Sequence, residues 1–251
     1  MPGLYQRLKS QALRRLPDPV LQRIKMWHYA RTLRAFRDED EPDVRVVRHL
    51  VLPGTTAIDL GANIGVYTRV LSELVSPTGA VVSVEPMPET HAILAANVRA
   101  LSLSNVTTVH AAVSDHAGIL HMAPGAYVGG GSNYYEAHVV AEGGTPVQAR
   151  TLDEIVGART RVGFVKCDVE GHELAVLAGA TELLDRQRPA WLVEVSTAGV
   201  IALFERNGYG TYWYDGVTLR RRAEGDRSVN YFFLTDAHVA RLRAAVPSLM
   251  P

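Results

Sequence analysis

Ala57-Ile58-Asp59-Leu60-Gly61-Ala62-Asn63-Ile64-Gly65 reads as an apolar strand that runs into a glycine turn and then into a helix opening near Ile64. Gly61 and Gly65 let the backbone pass close to a ligand, and the helix start offers free N–H groups there. The glycine spacing is G-x-x-x-G. Asn63 stands where a dinucleotide-binding turn has its second glycine, which speaks against a nicotinamide nucleotide.

Outward from this turn, short apolar runs alternate with helical patterns. Strands are expected over 56–60, 80–85, 106–110, 163–168, 190–195 and 228–234, with helices over 64–75, 88–101, 174–184 and 198–207. That alternation predicts an α/β fold, a doubly wound and mostly parallel sheet covered on both faces. The segments 210–214, 217–221 and 228–234 follow too closely for crossover helices, so an antiparallel hairpin is expected at one sheet edge. The stretch 125–135, with Gly129-Gly130-Gly131, reads as a loop. Trp191, Trp213 and Phe232 are read as core.

The chain has 251 residues, enough for one substantial core. A single cysteine, Cys167, excludes an internal disulfide framework and a Cys-rich zinc site, and fits a small core residue. No apolar run has membrane-spanning length and no signal-peptide core follows the basic start, so a cytoplasmic location is expected. The zero net charge hides an asymmetry: residues 1–37 carry nine Lys or Arg against Asp18 alone, leaving the rest at −8. An acidic body opposes general nucleic-acid binding, and RNA contact would fall to the basic start alone. Residues 1–37 read as two helical pieces broken at Pro17-Asp18-Pro19, and Asp38-Glu39-Asp40-Glu41 before Pro42 reads as a hinge. The basic helices are suited to dock on the acidic body, to cover a pocket, or to touch an anionic membrane surface.

Asp59, at the strand end, suits the α-ammonium of S-adenosylmethionine, bound directly or through water, and would repel a pyrophosphate. Glu85 follows Gly61 by 24 positions, where a carboxylate at the end of the neighbouring strand accepts ribose hydroxyls. After the third strand, Ala111 and Ala112 leave room for an adenine. Ser114-Asp115 supply a partner for its amine or serve as turn residues. The cofactor-binding candidates are therefore Asp59, Gly61, Asn63, Gly65, Glu85, Ala112, Ser114 and Asp115.

Lys166-Cys167-Asp168-Val169-Glu170-Gly171-His172-Glu173 gathers ionisable groups at the end of the fourth strand. Asp168, Glu170 or His172 is a candidate general base, with Lys166 as an ion partner. The bland alternative is a salt-bridge network of Lys166, Glu170 and Glu173 that fixes the turn, with His172 capping the helix. Asp168, Glu170 and Glu194 are candidate ligands for one divalent cation such as magnesium. Asn133, Tyr134 and Tyr135 are candidates to line an acceptor pocket.

Asp59-Leu60-Gly61-Ala62-Asn63-Ile64-Gly65, Glu85-Pro86, Thr151-Leu152-Asp153, the 166–173 segment and Glu194 together resemble the FkbM family of methyltransferases, over about residues 54–196. The resemblance implies a class I, Rossmann-like methyltransferase fold, S-adenosylmethionine as cofactor, and O-methylation of a hydroxyl on a sugar, glycolipid or small natural product. Residues 1–45 are then an N-terminal helical extension and 46–251 the methyltransferase domain. The competing readings are an NAD-dependent sugar oxidoreductase and an inactive methyltransferase-like binding protein. Expected partners are the acceptor, an anionic membrane surface and, compatibly with this composition, further copies of the chain.

Overall fold

A computed structural model describes residues 18–126, 132–157 and 160–250. The central sheet forms from β1 (Thr56–Leu60), β2 (Ala80–Val84), β3 (Val106–Val109), β8 (Val162–Cys167), β9 (Ala190–Glu194), β10 (Gly210–Tyr214), β11 (Leu219–Arg221) and β12 (Asn230–Leu234). Its order is β11-β10-β12-β9-β8-β1-β2-β3. The strands from β9 to β3 run parallel, whereas β12, β10 and β11 pair antiparallel in succession. This is the doubly wound sheet with an antiparallel edge that the alternation predicts.

Alternate strand residues enter two separate cores, as the twofold repeat of a strand requires. On one face, Ala57, Val81, Phe164 and Leu192 pack with α2 (Val44–Leu50), α3 (Val66–Leu74) and α8 (Asp236–Ala245). On the other, Ile58, Leu60, Val165, Cys167, Trp191 and Phe233 pack with α5 (Leu152–Val156), α6 (Glu173–Ala178) and α7 (Ala198–Arg206). Trp191 and Phe232 are fully buried, while Trp213 is half-buried and donates through Nε1 to Asp226.

Three expectations need correction. The stretch 125–135 is not simply a loop. Gly125 and Ala126 end β5 (Gly118–Ala126), residues 132–135 begin β6 (Ser132–Val140), and the two strands pair antiparallel. With β4 (Ala112–Val113) and β7 (Thr145–Arg150) they make a second sheet, whose inner side chains Met122, Ala137, Val147 and Ala149 pack on Met87. The helix expected over 174–184 breaks after Ala178. Asp153 intrudes there, accepting hydrogen bonds from Thr181 Oγ1 and the backbone N–H groups of Glu182 and Leu183, and a π-helical turn (Leu183–Gln187) follows. The helix expected from Ile64 starts at Val66, because Gly65 caps it with φ +99°.

Of the expected N-terminal pieces, the first lies outside the described residues, and α1 (Asp18–Ala35) is the second. Ala30 and Leu33 bury its inner face, α1 lies against α4 (Pro88–Ala100), and Arg34 donates to the Ala100 carbonyl at 2.7 Å. The acidic run is tied down rather than hinged. Both Asp38 oxygens accept from Arg48, at 2.5 and 2.9 Å, which links the run to α2. α2 spans residue 45, and its Val44, Val46, Val47 and Leu50 lie in the core. Among the described residues, no helix is long and apolar enough to cross a membrane.

Candidate active site

Successive strands step outward from β1 in one direction and from β8 in the other, so the sheet opens a crevice between the carboxyl ends of these neighbours. The two chains meet there closely: Asp168 N donates to the Leu60 carbonyl at 3.2 Å. A Cβ on Gly61, whose φ is +68°, would stand 1.7 Å from the Asp168 carbonyl oxygen. Glycine is thus required at 61 by the backbone itself. Asn63 takes φ +52°, a left-handed conformation that asparagine tolerates, and its Oδ1 accepts from Ile64 N. This explains how the turn closes without a glycine at 63.

Two cavities share the walls Gly61, Asn63 and Asp168. The first is a cleft lined by Glu85, Ala111, Ala112, Val113, Glu170 and His172, and roofed by Met122 and Ala137 of the second sheet. Glu85 is buried at its floor, with Oε2 accepting from Asn63 N and Oε1 from Met87 N, both at 3.0 Å. Burial raises its carboxyl to about 7, against those two N–H groups. Ser114 and Asp115 are not among the walls. Ser114 is buried, donates to Asp115 and lies 3.0 Å from His172 Nε2, while Asp115 faces solvent beside His116. His172 occupies the N-cap position of α6 without a side-chain capping bond, and burial lowers its pKa.

The second cavity, about 590 Å³, is lined by Asp59, Lys166, Asp168 and Glu194 from the strand ends, with Tyr29, Glu41, Tyr67 and Asn230 around them. Asp59 is fully buried. Its Oδ2 accepts from Thr68 Oγ1 at 2.6 Å, its Oδ1 has no partner among the described residues, and burial raises its pKa. Lys166 is buried with Nζ 2.9 Å from Asp168 Oδ2 and 5.3 Å from the centre of the Tyr67 ring. Burial opposes its charge, but Asp168 and Asp59 outweigh that and hold the ammonium form. Partial burial, the Asp168 charge and a hydrogen bond shared with Asp168 raise the Glu194 carboxyl to about 7.

The structure therefore divides the expected catalytic group. Lys166, Asp168 and Glu194 meet in the larger cavity, whereas Glu170 and His172 face the cleft. Glu173 is buried, accepts from Gly171 N and Ser196 Oγ, and fixes the turn. The expected cation site at Asp168, Glu170 and Glu194 is not formed. Among the described residues no three acidic, His or Cys side chains are arranged to hold a metal, and Asp168 pairs with Lys166 instead. The side chains of Asn133, Tyr134 and Tyr135 lie outside the described residues. Tyr29, Tyr67 and Asn230 belong to none of the sequence motifs, and Glu41 was read only as part of the acidic hinge.

The donor set fits S-adenosylmethionine. The orphaned, buried Asp59 Oδ1 suits an ammonium, the Glu85 carboxyl suits vicinal hydroxyls, and the small Ala111 and Ala112 leave a flat apolar slot. No curated protein matches the sequence. A crystal structure of methyltransferase FkbM from Methylobacillus flagellatus KT shares the fold, with a TM-score of 0.51 at 17% identity over 72% of this chain. The match spans only 44% of that longer chain. Precorrin-6y C5,15-methyltransferase from Geobacter metallireducens GS-15 matches at 14% identity, covering 77% of this chain and 85% of that one, with a TM-score of 0.45. A SAM-dependent O-methyltransferase from Thermotoga maritima does so at 14%, covering 77% and 63%, with a TM-score of 0.43. The family model for the methyltransferase FkbM domain matches residues 59–209, more than half of the sequence and the whole span from Asp59 through β9. The chain thus belongs to the FkbM family of S-adenosylmethionine-dependent methyltransferases.

Proposed function

We propose that this protein transfers a methyl group from S-adenosylmethionine to a hydroxyl of a sugar, glycolipid or small natural product. The observation that carries the reading is the carboxyl pair Asp168–Glu194 beside Lys166, in the larger cavity where it joins the cleft. Glu85, Ala111, Ala112 and His172 would hold the nucleoside in the cleft, with Asp59 and the 61–65 turn holding the amino-acid end. When bound, the cofactor supplies an electrophilic methyl on a sulfonium.

The chain's own part is to align and deprotonate the acceptor. A carboxylate raised to about 7 is a stronger base than an ordinary one, so Glu194 suits removal of a hydroxyl proton as the oxygen attacks. Lys166 Nζ donates to Asp168 Oδ2, and Asp168 accepts a hydrogen bond from the protonated Glu194. Tyr29, Glu41 and Asn230 supply a polar rim for further hydroxyls of the acceptor.

The test is transfer of labelled methyl to a panel of sugars, glycolipids and hydroxylated small molecules, followed by the lability of the product. A methyl ether, stable to mild base, is expected. Base-labile methyl esters or methylamines would overturn the hydroxyl assignment. Cofactor binding with no turnover on any acceptor would favour a binding protein instead.

A further inference from the structure

α1 has one face that the rest of the described protein leaves uncovered. Val20, Ile24 and Trp27 are 42%, 41% and 63% exposed, large values for apolar side chains, and Arg31 lies over the Trp27 ring at 5.7 Å. At 100° per residue, positions 20, 24, 27 and 31 fall within an arc of about 60°, well away from the buried Ala30 and Leu33. The stripe is therefore a continuous strip of helix surface with a cation attached. The sequence around it is strongly basic, with nine Lys or Arg and one acid among residues 1–37. A partner for this face must accept apolar groups and carry negative charge.

A third cavity of about 530 Å³ opens beside the same helix, lined by His28, Arg31, Phe36, Asp40, Glu41 and Val66. It shares Glu41 and Val66 with the larger catalytic cavity. The two cavities are thus neighbours, one reaching Asp168 and the other reaching Arg31 at the edge of the exposed stripe.

We propose that α1 seats the protein on an anionic bilayer surface through Val20, Ile24, Trp27 and Arg31. The acceptor is then drawn from that surface as an amphiphile whose polar head enters the groove while its lipid stays in the membrane. The acceptor half rests on the hydroxyl-methylation reading; the surface half rests on α1 alone. One short apolar stripe binds membranes only marginally, whereas a stripe combined with a basic segment gives the two signals that stable peripheral attachment requires.

Trp27 is its own reporter, since Trp191 is fully buried and Trp213 half-buried. The full chain is mixed with vesicles of phosphatidylcholine alone or of an equimolar mixture with phosphatidylglycerol. Co-sedimentation, Trp emission and iodide quenching are read, with S-adenosylhomocysteine affinity measured on the same preparation. Expected are a blue shift and protection from iodide on the anionic vesicles only, and binding weakened by salt. A double variant, Ile24→Ser with Trp27→Ser, binds about tenfold less while its S-adenosylhomocysteine affinity is unchanged. Failure to bind anionic vesicles, or undiminished binding by the double variant, would overturn the proposal. So would Trp27 protected from iodide before vesicles are added, which would mean that another copy or another part of the chain covers the stripe. None of these outcomes touches the methyltransferase reading, which is tested separately by S-adenosylhomocysteine binding and by methyl transfer.

Discussion

Asp59 is wholly buried, yet one of its carboxylate oxygens has no partner among the described residues. An unpaired buried acceptor costs the apo protein roughly 1–3 kcal/mol, and a cationic ligand group recovers that cost on binding. Asp59→Asn keeps an acceptor for Thr68 and removes the charge. Its affinity for S-adenosylhomocysteine should fall about 10- to 100-fold, with little change in apo stability. Unaltered affinity in titration calorimetry would remove Asp59 from the cofactor site. Partial burial and the neighbouring Asp168 charge raise the Glu194 carboxyl to about 7. Turnover should therefore rise with pH through about 7 in the wild type. Glu194→Gln should abolish that rise, and Asp168→Asn should lower kcat by about 10²- to 10⁴-fold with less effect on cofactor affinity. An unchanged pH–rate profile in Glu194→Gln would exclude it as the base. The legible part of the site is the part adjacent in sequence: Asp59, Gly61, Glu85, Lys166 and Asp168 belong to strand-end motifs. Tyr29, Glu41, Tyr67 and Asn230 reach the cavity only through tertiary folding, and nothing local to them signals it.

Among the elements, α5 shows what a short sequence motif does physically. Thr151 and Glu154 form a reciprocal capping box, Thr151 Oγ1 accepting from Glu154 N and Glu154 Oε2 from Thr151 N. Asp153 meanwhile accepts from three groups of the 181–183 segment. The Thr-Leu-Asp motif thus fastens two helical pieces whose linkage no periodicity count would reveal. Thr151→Ala should cost about 1 kcal/mol of stability by chemical denaturation and leave cofactor affinity nearly unchanged. A loss of affinity with no loss of stability would mean that the motif acts on the site directly. The second sheet escaped the sequence reading for a related reason. Gly125 sits at an irregularity in the β5–β6 pairing, where a Cβ would lie 2.9 Å from Glu136 Cβ, so the glycine serves a strand rather than a loop. Composition alone does not separate these uses.

For the whole molecule, the mostly parallel sheet and its antiparallel edge were readable because strands alternate with helices until the last three segments crowd together. The placement of β12 between β9 and β10 was not, since adjacency in the sheet is a tertiary choice. Burial of cofactor-binding carboxyls also shapes global stability. Glu85 is raised to about 7 in the fold, above its ordinary value of 4.5, so its contribution is fully present below about pH 4.5 and is lost as pH rises through 7. Glu85→Gln removes that titration. The stability of the variant relative to wild type should rise by on the order of 3 kcal/mol between pH 4 and pH 8. A difference that stays constant with pH would show that Glu85 is not titrating in this range. The same buried carboxyl is expected to take up ribose hydroxyls, which links apo stability to the cofactor.

The most direct test of the account is isothermal titration of the full chain with S-adenosylhomocysteine, beside NAD and NADP. Micromolar binding of S-adenosylhomocysteine, and none of either nicotinamide nucleotide, is the predicted result. Binding of a nicotinamide nucleotide alone would contradict the assignment of Asp59, Glu85 and the 61–65 turn, and with it the proposed chemistry.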